Sequence, residues 1–268
     1  MIYRIDQLSE SNIPPLTGNT YDASWMILTL TDSAEYQQLC GRFFNGSAYM
    51  IQVSRFKCAG WQMVVGDFID YCRATGKNAV VAMSETDLQE AKKFYAGHRY
   101  NDPFLRDGEL SVLIHSTPMG SWRQIRRDGM LKSWNRLKSE RRIREEHPIG
   151  IQLGDPTDFS DYIMFGGGVT GEIVVNSRQQ GKITMDENAE YLTGARLYFD
   201  AKRMAQDGLI IRDGCHLKVE ETLPLEPYLI WAATWDVVGL EEPVSTPKIF
   251  TQEADKAFNR IYSRRKIL

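Results

Sequence analysis

The chain has 268 residues, of which 43% are hydrophobic and 25% are charged, and its formal net charge is −3. This is the composition of an ordinary globular protein, and the slightly negative charge excludes a uniformly basic coat for nucleic acid. No apolar run is long enough to cross a bilayer, and the N-terminal MIYRIDQLSE lacks the apolar segment of a signal peptide. We therefore expect a cytoplasmic protein with no membrane partner.

The cysteines and histidines are scattered through the sequence. The four cysteines, Cys40, Cys58, Cys72 and Cys215, form no C-x-x-C pair, which predicts reduced thiols and no structural zinc site. The four histidines are also dispersed, so no metal site is expected.

The N-terminal part alternates predicted strands and helices, which indicates an α/β arrangement with some parallel pairing. After a polar leading loop, a capped helix is expected through Tyr36, Leu39 and Phe43, and a capping box at Ser84 is expected to open another. The remaining predicted elements are the strands Trp25 to Leu30, Ala48 to Val53 and Ala79 to Met83 and the helix Trp61 to Cys72. No phosphate-binding loop is present, so this part is predicted to serve recognition or scaffolding.

A polar segment with glycine at both ends, Gly97 to Gly108, is the best candidate for a domain boundary. We predict an accessory α/β domain over residues 1–108 and a second domain over 109–268.

The second domain is predicted to begin with a strand, a polar triplet and a helix. The apolar run Val112 to Ile114 ends in His115-Ser116-Thr117, a helix with Trp122 and Ile125 on one face follows, and Gly129 ends it. This places the histidine at the end of a strand, where ligands often bind. The alternative is a buried strand that ends in a polar turn.

The triplet, helix and glycine together resemble the first core motif of the ADP-ribosyltransferase superfamily, in which an H-x-T triplet is followed by a helix ending in I-x-x-x-G-[LM]. The matching residues are His115, Thr117, Ile125, Gly129 and Met130. The resemblance implies an α+β fold in which a C-terminal split-sheet core follows the smaller α/β domain. It also implies that NAD is the substrate, that backbone groups beside His115 (Ser116 and Thr117) hold its carboxamide, and that His115 contacts a ribose hydroxyl.

A basic segment follows this motif, with two acidic residues, Asp128 and Glu140, and two interleaved tryptophans, Trp122 and Trp134. Its nine cations are Arg123, Arg126, Arg127, Lys132, Arg136, Lys138, Arg141, Arg142 and Arg144. Arginine combined with aromatic residues is typical of surfaces that bind phosphates and stack bases. We predict nucleic-acid binding by Arg123, Arg126, Arg127, Trp134 and Arg136, the alternative being a solvated helix face. By resemblance to DarT-type DNA ADP-ribosyltransferases, Arg141 and Arg142 are candidates for contact with NAD.

The next predicted strand, Phe159 to Phe165, carries Tyr162, which by the same resemblance could stack on the nicotinamide; a core tyrosine is the alternative. The triple glycine Gly166-Gly167-Gly168 permits close approach of backbone to a ligand. Glu172 to Val175 is predicted to start a strand.

The order of elements from about residue 110 to 238 resembles RNA 2′-phosphotransferases of the same superfamily. Phe199-Asp200-Ala201, Asp207-Gly208 and Leu223-Pro224 stand at the places of their turn signals. The N-terminal Arg and His stretches that carry out phosphotransfer in that family are missing, which places that activity in doubt.

The third superfamily motif departs from the pattern. In DarT-like transferases a glutamate stands eight residues before the proline that matches Pro224, and here that position is His216. The catalytic role is therefore assigned either to His216 or to Glu220, with His115 as the other catalytic residue. Lys218 is expected on the same strand face as both.

These observations leave three hypotheses. The first is an NAD-dependent ADP-ribosyltransferase (a glycosyltransferase) that modifies RNA, DNA or protein and acts as a toxin or phage-defence effector, with a cognate inhibitor as a potential partner. The second is an RNA 2′-phosphotransferase. The third is a non-enzymatic module of the same fold that binds RNA or a protein.

Overall fold

The protein is a mixed α and β structure in the computed structural model, which describes residues 1–8, 17–44, 48–143, 145–153 and 155–262. Its strands are β1 Ile2–Ile5, β2 Trp25–Thr31, β3 Gln38–Phe44, β4 Ala48–Ser54, β5 Asn78–Ala82, β6 Val112–Thr117, β7 Met130–Lys132, β8 Tyr162–Met164, β9 Tyr191–Leu192, β10 Ala195–Asp200, β11 Ile211–Arg212, β12 Leu217–Glu220, β13 Thr222–Pro224, β14 Leu229–Ala233 and β15 Val244–Ser245. Its α-helices are α1 Trp61–Ala74, α2 Glu85–Phe94, α3 Met119–Asp128, α4 Trp134–Ser139, α5 Gly150–Leu153, α6 Thr170–Gln180, α7 Ala201–Gln206 and α8 Pro247–Tyr262.

The chain divides into two compact units. The first contains Met1–Asp102, Gly150–Phe159 and Ile210–Lys218, and the second contains Pro103–Ile149, Ser160–Leu209 and Val219–Leu268. These units differ from the predicted division at residue 108, because two later segments of the chain belong to the first unit. The single boundary therefore stays a prediction.

The first unit contains a sheet in the order β1-β5-β2-β4-β3. The pairs β1–β5, β5–β2 and β2–β4 are parallel. Buried apolar residues of β2 and β4, such as Ile27 and Ile51, form its core. The predicted strands here and helices α1 and α2 are confirmed, and the Ser84 hydroxyl accepts a hydrogen bond from the Asp87 N–H at 3.1 Å as a helix cap.

The predicted helix through Tyr36, Leu39 and Phe43 is wrong. This segment forms β3, an edge strand that pairs antiparallel with β4. The helical spacing of three apolar residues was outweighed by backbone pairing along β4.

Cys40 and Cys215, both in the first unit, form a disulfide that joins β3 to the turn before β12. The expectation of reduced thiols is therefore wrong for these two residues. Cysteines 175 positions apart give no sequence signal of pairing, because it is the fold that brings β3 to this turn. Cys58 and Cys72 are free thiols.

The second unit contains a three-stranded antiparallel sheet in the order β14-β10-β6, so β6 is an edge strand. The pairs β7–β13 and β9–β15 are also antiparallel. Fully buried Leu197 and Phe199 of β10 form the core of the larger sheet, and α8 contributes buried Phe250 and Ala254. The predicted strand-helix-glycine order is confirmed here, since Gly129 ends α3 with a φ of 64°.

Two segments that were predicted as strands have a different structure. Glu172 to Val175 was predicted to start a strand, which is wrong because the segment belongs to α6. The expected strand Phe159 to Phe165 is shortened to β8, because residues Thr157–Asp161 form a 3₁₀ turn. Arg144 of the predicted basic segment and the basic run Arg264-Arg265-Lys266 lie outside the described residues.

Within the described ranges, no helix combines the length and the apolar composition that crossing a membrane requires.

Candidate functional site

The end of β6 carries the predicted triplet His115-Ser116-Thr117. Antiparallel pairing with β10 places His115 opposite Leu197 and Ser116 opposite Arg196. Leu113 and Leu197 anchor the strand in the apolar core, His115 and Ser116 are half-buried, and Thr117 is buried. The triplet therefore lies at the end of a strand, as predicted.

The imidazole of His115 is held in one tautomer. Its Nδ1 lies 3.0 Å from the carbonyl oxygen of Met164, and because a carbonyl can only accept, Nδ1 must carry the proton. Burial lowers the pKa of His115; the Met164 carbonyl opposes this effect, and the positive charge of Arg178 adds to it. The ring is consequently neutral at pH 7, and its Nε2 has no hydrogen-bond partner among the described residues.

The main chain of Ser116 faces the outer edge of the sheet. The carbonyl oxygen of Ile114 accepts a hydrogen bond from the N–H of Gly166 at 3.0 Å, which shows that the backbone groups of Ile114 point away from β10. Because backbone groups alternate along a strand, the N–H and carbonyl of Ser116 point to the same side. They form an adjacent donor and acceptor at the strand end.

The side chain of Ser116 is bonded to a residue that sequence reasoning missed. The Ser116 hydroxyl donates to Oε1 of Glu172 at 2.6 Å, and the Tyr191 hydroxyl donates to Oε2 at 2.6 Å. Glu172 lies in the first turn of α6 and is fully buried. Burial raises its pKa, although the bonds from Ser116 and Tyr191 and the charge of Arg196 favour the ionised form.

Arg196 connects Glu172 to the C-terminal helix. The guanidinium of Arg196 is fully buried, lies 3.9 Å from Oε1 of Glu172, and makes two hydrogen bonds of 3.0 and 3.2 Å to Asp255 of α8. Tyr198 donates to the same carboxylate at 2.6 Å. Two carboxylates therefore share one buried cation behind the strand end.

Close approach at this strand end depends on two glycines. A Cβ on Gly171 of α6 would lie 2.6 Å from the Ser116 hydroxyl oxygen, and a Cβ on Gly194 would lie 2.0 Å from the carbonyl oxygen of buried Thr117. Both positions would force neighbouring atoms to move if a side chain were present.

Much of the predicted basic segment is internally neutralised. Arg142 forms ion pairs with Asp128 and, at 3.1 Å, with Glu140. Lys132 and Arg136 bond the same Glu140 at 2.7 and 2.9 Å. Of the two residues predicted to contact NAD here, Arg142 is thus engaged, while Arg141 is exposed with a positive φ of 58°.

The remaining cations of α3 are more available. Arg123, Arg126 and Arg127 are exposed, and none has a carboxylate partner among the described residues. The Arg126 guanidinium lies 5.8 Å from the centre of the Trp122 ring.

Two aromatic residues predicted to stack on a ligand are half-buried. The ring of Trp134 lies 5.4 Å from the Arg178 guanidinium, which occupies the position that a stacked base would need on that face. Tyr162 lies on β8, two residues before the Met164 carbonyl that binds His115.

The two candidates for the third motif lie in different units. Glu220 is exposed at the end of β12 in the second unit, which also contains His115. His216 belongs to the first unit, where its Nδ1 lies 3.3 Å from Asp213. Lys218, which was predicted on the same strand face as both, is fully buried and bonds Asp213 at 2.7 Å, whereas Glu220 is exposed.

Comparison with family models, with curated proteins and with solved structures finds no match to this chain.

Proposed function

We propose that the protein is an NAD-dependent ADP-ribosyltransferase that modifies a nucleic acid or a protein. The observation that carries the proposal is the fixed neutral tautomer of His115, whose Nε2 is an acceptor at the end of β6. An acceptor nitrogen at this place suits a hydroxyl donor, and the ribose hydroxyls of NAD are such donors.

The neighbouring backbone supports the same substrate. A carboxamide presents one N–H₂ donor and one carbonyl acceptor, and the outward N–H and carbonyl of Ser116 provide the complementary pair. The Arg178 guanidinium is paired with Glu145 at 3.4 Å, and its positive charge, which also lowers the pKa of His115, would favour a pyrophosphate nearby. These groups would hold NAD in one orientation at the strand end.

The reaction breaks the bond between the ribose carbon and the nicotinamide nitrogen, and nicotinamide leaves. An acceptor atom then bonds to that carbon, and its proton passes to a base. A carboxylate would stabilise the positive charge that develops on the carbon and could take the proton. We assign this role to Glu220 and not to His216, because Glu220 is exposed and belongs to the same unit as His115.

A nucleic-acid acceptor is supported by the exposed cations of α3. Arg123, Arg126 and Arg127 lack carboxylate partners among the described residues, so their charges remain available to phosphates. We extend the proposal to a toxin or defence role in the cytoplasm. Disulfides are rare in the cytoplasm, so the Cys40–Cys215 bond argues against that location. Fractionation of cells that produce the protein tests it.

The direct test is to incubate the protein with NAD labelled in the adenylate part, separately with RNA, DNA and a cell lysate. We expect labelling of one acceptor class and a loss of about two to four orders of magnitude in rate for His115→Ala. His147→Ala is the matched control, because His147 is exposed in the same unit. Absence of label with every acceptor, together with absence of nicotinamide release and of NAD binding, would refute the proposal.

A further inference from the structure

We infer that Glu172 is a positioning residue for the bound nicotinamide, acting through Ser116; this inference rests on the proposed function. Ser116 offers its main-chain N–H and carbonyl to the carboxamide, while its side chain is bound to Glu172 at 2.6 Å. One residue thus joins the proposed substrate contact to a buried carboxylate.

The geometry requires such support because β6 is an edge strand. Pairing with β10 holds one side of β6, and on the other side the Gly166 N–H bonds the Ile114 carbonyl at 3.0 Å. Ser116 lies beyond that bond and is the second-last residue of the strand. Strand ends fray when nothing else holds them. The bond to Glu172 ties the Ser116 side chain to α6, so it restricts the rotation of the residue that carries both carboxamide contacts.

Glu172 is itself held by two neighbouring strands. Tyr191 of β9 donates to it and Arg196 of β10 lies 3.9 Å away, while Arg196 donates to Asp255 of α8 and to the Tyr198 hydroxyl. A buried carboxylate and guanidinium cost desolvation energy, and well-packed apolar residues could replace them without loss of stability. We infer that the buried Glu172 and Arg196 are present because they keep Ser116 in one orientation.

A substitution at Gly171 can test the bond between Ser116 and Glu172 without removing either residue. A Cβ at this position would lie 2.6 Å from the Ser116 hydroxyl oxygen and 3.0 Å from its Cβ. Gly171→Ala should therefore displace the hydroxyl from Glu172 while the carboxylate and the serine both remain. Gly120→Ala is the matched control, since Gly120 is also in a helix of this unit and a Cβ there would have no neighbour within 4 Å.

The experiment measures KM for NAD and kcat for nicotinamide release in the full chain, with NAD affinity measured by calorimetry. We expect Ser116→Ala, Glu172→Met and Gly171→Ala each to raise KM by about tenfold, because each removes the bond that orients Ser116, with a smaller change in kcat. Methionine is close to glutamate in length and has no oxygen that could accept from the Ser116 hydroxyl. Ser116→Ala combined with Glu172→Met should raise KM by about tenfold in total, not by about a hundredfold, because both remove one interaction. Gly120→Ala should leave KM unchanged.

The outcomes separate this inference from the proposed function. If the wild-type protein neither binds nor cleaves NAD, both are refuted. If it cleaves NAD but the three variants keep the wild-type KM, or if the effects of Ser116→Ala and Glu172→Met multiply, only the role of Glu172 is refuted. Should Glu172→Met fail to fold, Ser116→Ala and Gly171→Ala still decide the matter, because both retain the carboxylate.

Discussion

Lys218 of the first unit and Arg196 of the second are both fully buried cations, and they are neutralised in different ways. In the first unit, Lys218 and Asp213 are both fully buried and bond at 2.7 Å. In the second unit, Arg196 is fully buried between two carboxylates, Glu172 and Asp255. The first arrangement pairs charges, and the second leaves one negative charge to be balanced by hydroxyl groups.

The pair of Lys218 and Asp213 lies among aromatic rings, and Asp213 also bonds the backbone of the turn that follows it. The Lys218 ammonium lies 4.0 Å from the centre of the Tyr71 ring and 4.4 Å from that of Phe159. Asp213 also accepts from the N–H groups of Cys215 and His216 at 2.9 and 2.7 Å. Burial alone would raise the pKa of Asp213, but the charges of His216 and Lys218 outweigh it and hold that pKa well below its ordinary value.

The buried charges of the second unit, Glu172, Arg196 and Asp255, are connected to the end of β6 through Ser116. Asp255 receives both bonds of the Arg196 fork, so Glu172 depends mainly on the hydroxyls of Ser116 and Tyr191. Burial accordingly raises the pKa of Glu172, whereas that of Asp213 is lowered. The comparison suggests that a fully satisfied buried pair serves stability, while an incompletely neutralised carboxylate at a strand end is a candidate for function.

The largest effect is expected in the first unit. Lys218→Met should reduce the free energy of unfolding by about 3–5 kcal/mol, because it leaves the carboxylate of Asp213 buried without its cation. Urea denaturation measures the change. Lys248→Met is the control, since Lys248 forms an exposed pair with Glu187 and its loss should cost about 0–1 kcal/mol. A cost for Lys218→Met within the range of this control would show that the buried pair does not stabilise the unit.

A smaller effect is expected in the second unit. Tyr191→Phe should reduce the free energy of unfolding by about 1.5–3 kcal/mol, because it removes one of two hydroxyl donors to buried Glu172. Tyr228→Phe is the matched control, because Tyr228 donates to Asp207, which is exposed and can bind water instead. Equal losses in the two variants would contradict the idea that Glu172 depends on its hydroxyl partners.

The smallest effect concerns pH. Because burial raises the pKa of Glu172, the folded protein binds this proton more tightly than the unfolded chain does. The stabilisation is complete below the ordinary value of 4.5 and is lost as the pH rises through the folded pKa. Glutamine cannot ionise, so the melting temperature of wild type relative to Glu172→Gln should fall as the pH increases. Glu253→Gln, at an exposed ion pair, should show no such trend.

The elements that the sequence predicted correctly are those with strong local signals. Continuous apolar runs identified β2, β4 and β6, and Ser84 and Gly129 marked ends of α2 and α3. The segment that became β3 has no such run, and its pairing with the next strand, β4, is a contact between two segments that the periodicity of one segment does not express. The same holds for Cys40 and Cys215, which only the fold brings together.

The candidate site was predictable in part. His115 at the end of a strand follows from the apolar run before it, whereas its tautomer depends on Met164, which is 49 positions away. Glu172 had no sequence signal, because its partners Ser116 and Tyr191 are 56 and 19 positions away and only the fold brings them to it. The sequence also does not show which arginines are available to a phosphate. Asp128 and Glu140 pair with Arg142 and not with Arg123.

The Cys40–Cys215 bond has a topological consequence. It closes a covalent loop that contains the segments 103–149 and 160–209, most of the second unit, between two cysteines of the first. A closed loop spanning 175 positions removes conformational entropy from the unfolded chain worth about 5 kcal/mol at 25 °C. A protease cut anywhere within it would leave one molecule of unchanged mass, apart from added water, and the two pieces would separate only after reduction.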